Sequence, residues 1–518
     1  MAATITDTLK RELLDEFYAS YTGKNAVGEA GENSIPAVAP DNYWIGIGKA
    51  EEWTSIGNPP APNSSIGDII EFQASIQSAK KVQDVSYVIP RVNWSPGSIY
   101  TAWDNEYSSD TTVGSLEDII GSYYVITDQN NVYICIEQSM GENGVVRNST
   151  TKPTGTTSSV FTTGDGYTWK FMYNVGVFTA RRYLTSNYIP VERVPDPSEV
   201  DGKPLNQLSI SRKEQHDLQE LAVVGQVIGI AVDSSGVGYP PNSQISVAVY
   251  QGGSTQTTDA HAYVRTDNRG KVFQCVMRNK FENPTIHKFG VGYGKEAWAE
   301  ITADSAGGGT GAVLRAIVAV DPGGMGADPR NDLNTSALMY TARLVGNEYK
   351  SFNVQNDFRQ FGLIKNIMTD SDNPKLFPNL RGDAMKKLKV QVNPSDFDPT
   401  TIGPEAIVHE VPSSGPIIRQ AIVDYYEALD DENGQAVGII HCHQNSSTGW
   451  REFTNTTGTA LRIGANLAST IRDDDAPNLA LRSGGMDNFS GKVLYIDNRV
   501  AIEREVDQTE DIKIIIDL

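Results

Sequence analysis

The chain closes on Ile512-Lys-Ile-Ile-Ile-Asp-Leu518, a β-branched run with strand chemistry and little polar relief. A terminal strand this apolar is costly to leave frayed, so it is expected to tuck into a sheet. Ahead of it, Val493-Leu-Tyr-Ile496 reads as another short strand, Asp497-Asn498 as turn chemistry, and Asp507-Gln-Thr-Glu-Asp511 as a polar connection. The last 35 residues thus predict two strands that need a sheet supplied from elsewhere in the chain.

The remaining composition agrees with a loop-rich β protein. A length of 518 residues allows two or three domains with sizeable cores, and 47 Gly and 25 Pro favour turns over long helices. No window approaches the roughly 18 apolar residues of a membrane span, and no signal-peptide apolar region opens the chain. Cys135, Cys275 and Cys442 are odd in number and far apart, so no disulfide framework is implied and a reducing, cytoplasmic site of folding is expected. A net charge of −21 argues against gripping nucleic acid or anionic membranes. The densest basic cluster, Lys386-Lys387-x-Lys389, is short and reads as a solvated face.

Segment by segment, residues 1–30 read as an N-terminal helix or arm. Leu9, Leu13 and Phe17 recur at helical spacing with Leu14, Tyr18 and Tyr21 beside them, Thr6 or Asp7 can cap the helix, and Gly23 stops it. Such a helix either packs on its own domain or docks as an arm on a neighbouring subunit; the former is the simpler reading. Residues 31–222 read as the first part of a discontinuous β core, with strands at Tyr43–Ile47, Val85–Ile89, Tyr123–Thr127, Val132–Ile136 and Trp169–Tyr173. Residues 223–320 form an inserted Gly-rich β module with an internal repeat, because Gly236-Val-Gly-Tyr239 recurs as Gly290-Val-Gly-Tyr293, each followed by a strand and a Gly-rich turn. Residues 321–395 continue the core, 396–483 are a second β-rich insertion, and 484–518 return as core strands. Tyr167, Trp169, Phe171 and Tyr173 alternate onto one strand face, which reads as sheet core.

Four groups invite a chemical reading. His441-Cys-His443 would place two imidazoles on one strand face, yet a tetrahedral metal site needs further ligands that no second close-spaced pair supplies. Gly307-Gly-Gly-Thr-Gly311 lacks the lysine and following helix of a phosphate loop and reads as a tight turn. Asp473-Asp474-Asp475 departs from EF-hand spacing and reads as a solvated acidic loop. Asp424, Glu427, Asp430 and Asp431 could be imagined as glycosidase carboxylates, but nothing sets a defined separation between an acid and its partner. No catalytic, cofactor-binding or metal-ligating residue is assigned, and no cofactor and no enzymatic activity are expected.

Five segments, taken in order, carry a resemblance. They are Ile45-Gly-Ile-Gly-Lys-Ala-Glu-Glu-Trp53, Val88-Ile-Pro-Arg-Val-Asn-Trp94, Gly164-Asp-Gly-Tyr-Thr-Trp-Lys-Phe-Met-Tyr173, Phe358-Arg-Gln-Phe-Gly-Leu-Ile364 with Asn373-Pro374, and Ser490-Gly-Lys-Val-Leu-Tyr-Ile-Asp-Asn-Arg499 with Asp507-Gln-Thr-Glu-Asp-Ile512. Together they resemble the baseplate wedge subunit of contractile-tailed bacteriophages, a protein built as a three-layer β-sandwich. The resemblance covers about residues 40 to 200, 335 to 395 and the last 35; it leaves out the Gly-Val-Gly-Tyr module and about 400 to 480. It implies a mainly β fold: a multi-layer β-sandwich core formed from N- and C-terminal segments, with one N-terminal helix and inserted small β modules. It further implies a structural virion protein of the tail baseplate, assembled in the host cytoplasm, homodimeric, and joined to other baseplate wedge proteins. The rival expectation is a host-receptor or glycan-binding tail protein that uses residues 223–320 as its head.

Overall fold

The computed structural model describes residues 5–23, 40–108, 122–194, 210–251, 258–280, 286–302, 305–320, 323–347, 352, 357–392, 406–411, 419–429, 436–451, 453, 459–463, 466–471, 485–505 and 507–518. Over these residues the chain is mainly β, with several antiparallel sheets packed together. The helix expected at the N-terminus is α1 (Asp7–Thr22): Thr6 Oγ1 accepts from Leu9 N, and Gly23 ends it at φ 68°. Four shorter helices that the sequence reading did not separate from loop are α2 (Ile66–Ser75), α3 (Val177–Tyr183), α4 (Ile210–Glu220) and the single turn α5 (Pro329–Asp332). Each is too short to show more than two or three turns of periodicity.

Three sheets share the principal core. The first has five strands in the order Arg381–Asp383, Ile76–Lys81, Tyr43–Gly48, Asp357–Lys365, Lys492–Glu503. The second has four, Thr509–Asp517, Ala337–Val345, Asp84–Pro90 and Tyr188–Val191; the third also has four, Tyr124–Ile126, Asn131–Glu137, Thr168–Asn174 and Phe161–Thr162. Tyr43, Ile45 and Leu363 of the first, Tyr87, Leu338, Tyr340 and Ile514 of the second, and Ile126, Ile134 and Met172 of the third bury into one cluster. Tyr43 stacks on Tyr340 at 5.3 Å between ring centroids, which ties the first sheet to the second. Helices close the outer faces: Phe72 of α2 packs with Trp44 and Ile364, and Tyr183 of α3 packs with Val88 and Met339. On α1, Leu14 is fully buried and Phe17, Tyr18 and Tyr21 pack on the core, whereas Leu9 and Leu13 face outwards.

The terminal strand tucks in as expected. Thr509–Asp517 pairs along its length with Ala337–Val345, and Arg343 Nε donates to Asp511 Oδ1 at 2.7 Å across the pair. It sits at the edge of its sheet, not in the middle. Two expectations need correction. Asp497-Asn498 is no turn, because the strand Lys492–Glu503 runs straight through it and Asn498 Oδ1 accepts from Gln360 Nε2 on the neighbouring strand. Tyr173 does not share a face with Tyr167, Trp169 and Phe171. A register shift opposite Val132 and Tyr133 adds a residue at Met172, so Tyr173 swings into the principal core while the other three stay in a cluster on the far face.

The Gly-Val-Gly-Tyr module is a six-stranded sheet in the order Val272–Val276, Ala262–Thr266, Gln244–Gln251, Ala297–Ile301, Thr310–Ala319, Gln226–Val237. The two motif copies adopt the same backbone, with φ of 57° and 79° at Gly236 and Gly238 against 59° and 89° at Gly290 and Gly292. Both tyrosines are buried. Ala312 N donates to Tyr239 Oη and Tyr239 N to Gly270 O; in the second copy Ala260 N donates to Tyr293 Oη and Tyr293 N to Gly225 O. The copies interlock: the first strand of each pairs with the last strand of the other. Five strands within residues 396–483, Val437–His443, Gln420–Ala428, Ile407–Glu410, Ala460–Ile463 and Asn466–Ile471, close a six-stranded barrel with Lys386–Val392, a strand that the sequence reading assigned to the core.

In the first sheet, Gly46 and Gly362 are directly cross-strand. A Cβ on Gly362 would lie 2.2 Å from Phe72 Cζ, so the missing side chains form the slot that admits the Phe72 ring. Gly362→Ala should lower stability by about 1–3 kcal/mol through overpacking. In thermal unfolding, the double variant Phe72→Leu/Gly362→Ala should lose less than the sum of the single losses.

Candidate functional site

The strands Gln420–Ala428 and Val437–His443 are neighbours in the barrel, and their outward side chains meet the first sheet. Alternation puts Cys442 inside the barrel with Leu388 and Val390 and turns His441 and His443 outwards. Asp424 is the extra residue of a register shift between Val423 and Tyr425, which directs its carboxylate at His443. From the first sheet come Gln77 and, just beyond the strand Tyr43–Gly48, Glu51.

His443 is held at both ring nitrogens. Nδ1 lies 3.0 Å from Asp424 Oδ1, and Nε2 lies 2.9 Å from Glu51 Oε1. Gln77 Nε2 donates to the same Asp424 oxygen at 3.0 Å, Asn445 Nδ2 donates to Glu51 Oε1, and Lys49 Nζ to Glu51 Oε2. Burial alone favours a neutral ring, but the charges and hydrogen bonds of Asp424 and Glu51 outweigh it and lift the His443 pKa to about 10. Burial likewise opposes the Glu51 charge, and His443 with Lys49 reverses that effect and brings its pKa down to about 2. The result is an imidazolium between two carboxylates, spanning the seam between barrel and sheet.

His441 behaves differently. Its ring stacks on Tyr425 at 3.9 Å, and its Nε2 lies 3.2 Å from Glu427 Oε2. Burial and the Lys387 charge outweigh the Glu427 carboxylate, so the pKa falls to about 4 and the ring is neutral. The two histidines thus hold different partners, and no group of three or more metal-ligating side chains that could hold an ion occurs among the described residues. Asp424 and Glu427, read separately from the histidines in the sequence, are brought onto them. Asp430, Asp431 and Asp473–Asp475 lie outside the described residues.

The other candidates have structural partners. The Gly307–Gly311 loop wraps Tyr239, since a Cβ on Gly309 would meet that ring at 2.3 Å and one on Gly307 would meet Pro240 Cγ at 2.8 Å. Lys386 Nζ donates to Gln444 Oε1, and Lys387 pairs with Asp383 at 2.6 Å. The module is seated on the third sheet by a comparable weld, in which Gln274 and Arg278 reach the partly buried Glu137, and Arg278 Nη2 also reaches Thr162 and Thr168.

Beside the seam opens a cleft of about 270 Å³ lined by Lys49, Glu51, Trp53, Asp68, Glu71 and Asn498, among others. Glu51 is engaged by three side chains, His443, Asn445 and Lys49. What the arrangement can do chemically is lock two bodies together. Sequence reasoning missed Glu51 and Gln77, which lie several hundred residues from His443 and carry no local signal.

No family model matches the chain, and no curated protein matches it.

Removing the central cation leaves two buried carboxylates facing each other. His443→Ala should therefore cost about 3–5 kcal/mol. The His443 contribution is complete below its ordinary 6.5 and disappears as pH rises through about 10. That of Glu51 is complete above its ordinary 4.5 and disappears as pH falls through about 2. The gap in unfolding temperature between wild type and variant should be widest from pH 4.5 to 6.5 and should narrow towards pH 10.

Proposed function

We propose that this chain is a structural subunit of a contractile-tail baseplate wedge, a virion protein that holds neighbouring wedge proteins together and pairs with a second copy of itself. One observation carries the reading: all five segments of the resemblance fall on the three sheets of a common core. Ile45–Gly48, Phe358–Ile364 and Lys492–Arg499 are adjacent strands of the first sheet. Val88–Pro90 lies in the second and Thr168–Tyr173 in the third, with Trp94 N donating to Ile126 O between them. The polar chemistry supports the same reading. The buried ion cluster at His443 joins parts of the chain, and apolar side chains such as Leu9, Leu13 and Phe178 are left exposed on its surface.

Co-expression of the full chain with the other wedge proteins of the same tail should give a stable complex on size exclusion, with the chain dimeric within it. A strictly monomeric chain that ignores every wedge protein would sink the proposal.

A second reading has one specific observation behind it. Tyr250 and Trp298 are cross-strand partners on the central pair of the module, stacked at 4.4 Å and both exposed. Exposed aromatic rings beside polar side chains suit the apolar faces of sugars. Glycan-array binding by the full chain that is lost in Trp298→Ala, with unfolding temperature unchanged, would favour a host-glycan role. Equal binding by both proteins, or none, would reject it.

A further inference from the structure

The outward side of α2 carries apolar side chains that no described residue covers. Ile66 and Ile70, four residues apart, are 77% and 39% exposed. The next turn of that side reaches Gln73, which is bonded at both its backbone and its amide to the Asn488–Ser490 turn: Asn488 Nδ2 donates to Gln73 O, and Gln73 Nε2 to Ser490 O. That turn presents Phe489, 45% exposed, edge-on to Trp450 of the barrel at 5.3 Å. The Trp450 loop is itself fixed to α2, because Ser446 N donates to Glu71 Oε1 at 3.0 Å. A helix, a turn and a barrel loop, tied together by these hydrogen bonds, therefore present exposed apolar side chains on both sides of the seam. Exposed apolar side chains grouped among polar ones mark protein contacts.

Charge selects the occupant. Across α2 from Ile66 lies the acidic cleft, where Lys49 is engaged by Glu51 while the Asp68 carboxylate has no ion-pair partner among the described residues. Glu71 adds a second carboxylate, which accepts from the Ser446 backbone N–H. A second copy of the chain would bring the same acids and a net charge of −21, so self-pairing through this face is opposed.

We propose that this face docks a segment of a different protein, one with apolar anchors flanked by lysine or arginine, whether or not the chain sits in a baseplate. The apolar side chains lie over Ile66, Ile70, Trp450 and Phe489, and a basic side chain crosses α2 into the cleft between Asp68 and Glu71.

The test uses the full chain and a short synthetic peptide of leucine and lysine, titrated by calorimetry. Binding is expected, weakened about tenfold by Ile66→Ser/Ile70→Ser and, separately, by Asp68→Asn/Glu71→Gln. Glu300→Gln, an exposed acid on the module, should bind as the wild type does. All four proteins should keep the same unfolding temperature to within a few degrees, since every altered side chain is at least partly exposed. Equal affinity across the variants, or equal binding of a leucine–glutamate peptide, overturns the proposal. So does a dimer of the free chain that dissociates in Ile66→Ser/Ile70→Ser, because a second copy would then be the occupant.

Discussion

The first sheet depends on a ring entering a gap. Phe72 lies against two cross-strand glycines, Gly46 and Gly362, and a Cβ on Gly362 would collide with its ring. That contact sets α2 flat on the sheet, and the position of α2 in turn decides much else. Its C-terminal residue Ser75 accepts from Lys49 N at its carbonyl, which fixes the bend where the chain leaves the strand Tyr43–Gly48. A Cβ on Gly48 would lie 2.1 Å from that same carbonyl. The bend delivers Glu51 to His443. A packing detail on one sheet thus positions an ionic contact on another body.

That ionic contact is a strong constraint and a weak source of net stability. Two carboxylates and an imidazolium removed from water cost several kcal/mol to desolvate, and their attraction offsets this only with good geometry. Here the geometry is good on one side and incomplete on the other, because Asp424 Oδ2 is buried without a hydrogen-bond partner. The gain is in specificity. A barrel slid by a few ångströms would leave three buried charges unmatched, so the seam admits one alignment.

What could be read in advance followed the range of the interactions. Alternation and turn residues are local, and Tyr43–Gly48, Asp84–Pro90 and Asn131–Glu137 stand where those signals place them. Helix α1 was legible because sixteen residues show a full stripe and both caps, whereas the ten of α2 and seven of α3 do not. Asp497-Asn498 misled because turn-forming residues also serve an edge strand when their amides bond sideways, as Asn498 does to Gln360 and Pro60. Tyr173 misled because a bulge changes the side on which alternation falls. At the seam, the residue types of His441, His443, Asp424 and Glu427 were visible, but their pairing was not. The bulge at Asp424 and the long-range approach of Glu51 are products of tertiary structure.

The interlocked module has its entrance and exit side by side, with Gln226 and Ala319 as partners across the same antiparallel pair. A unit whose two ends meet can be spliced into a surface loop of a host domain without prising that domain apart. Because each half lends its outer strand to the other, neither half closes a sheet alone. Such an insert is gained or lost as a whole, which makes it portable between scaffolds while the chain that carries it keeps its own architecture.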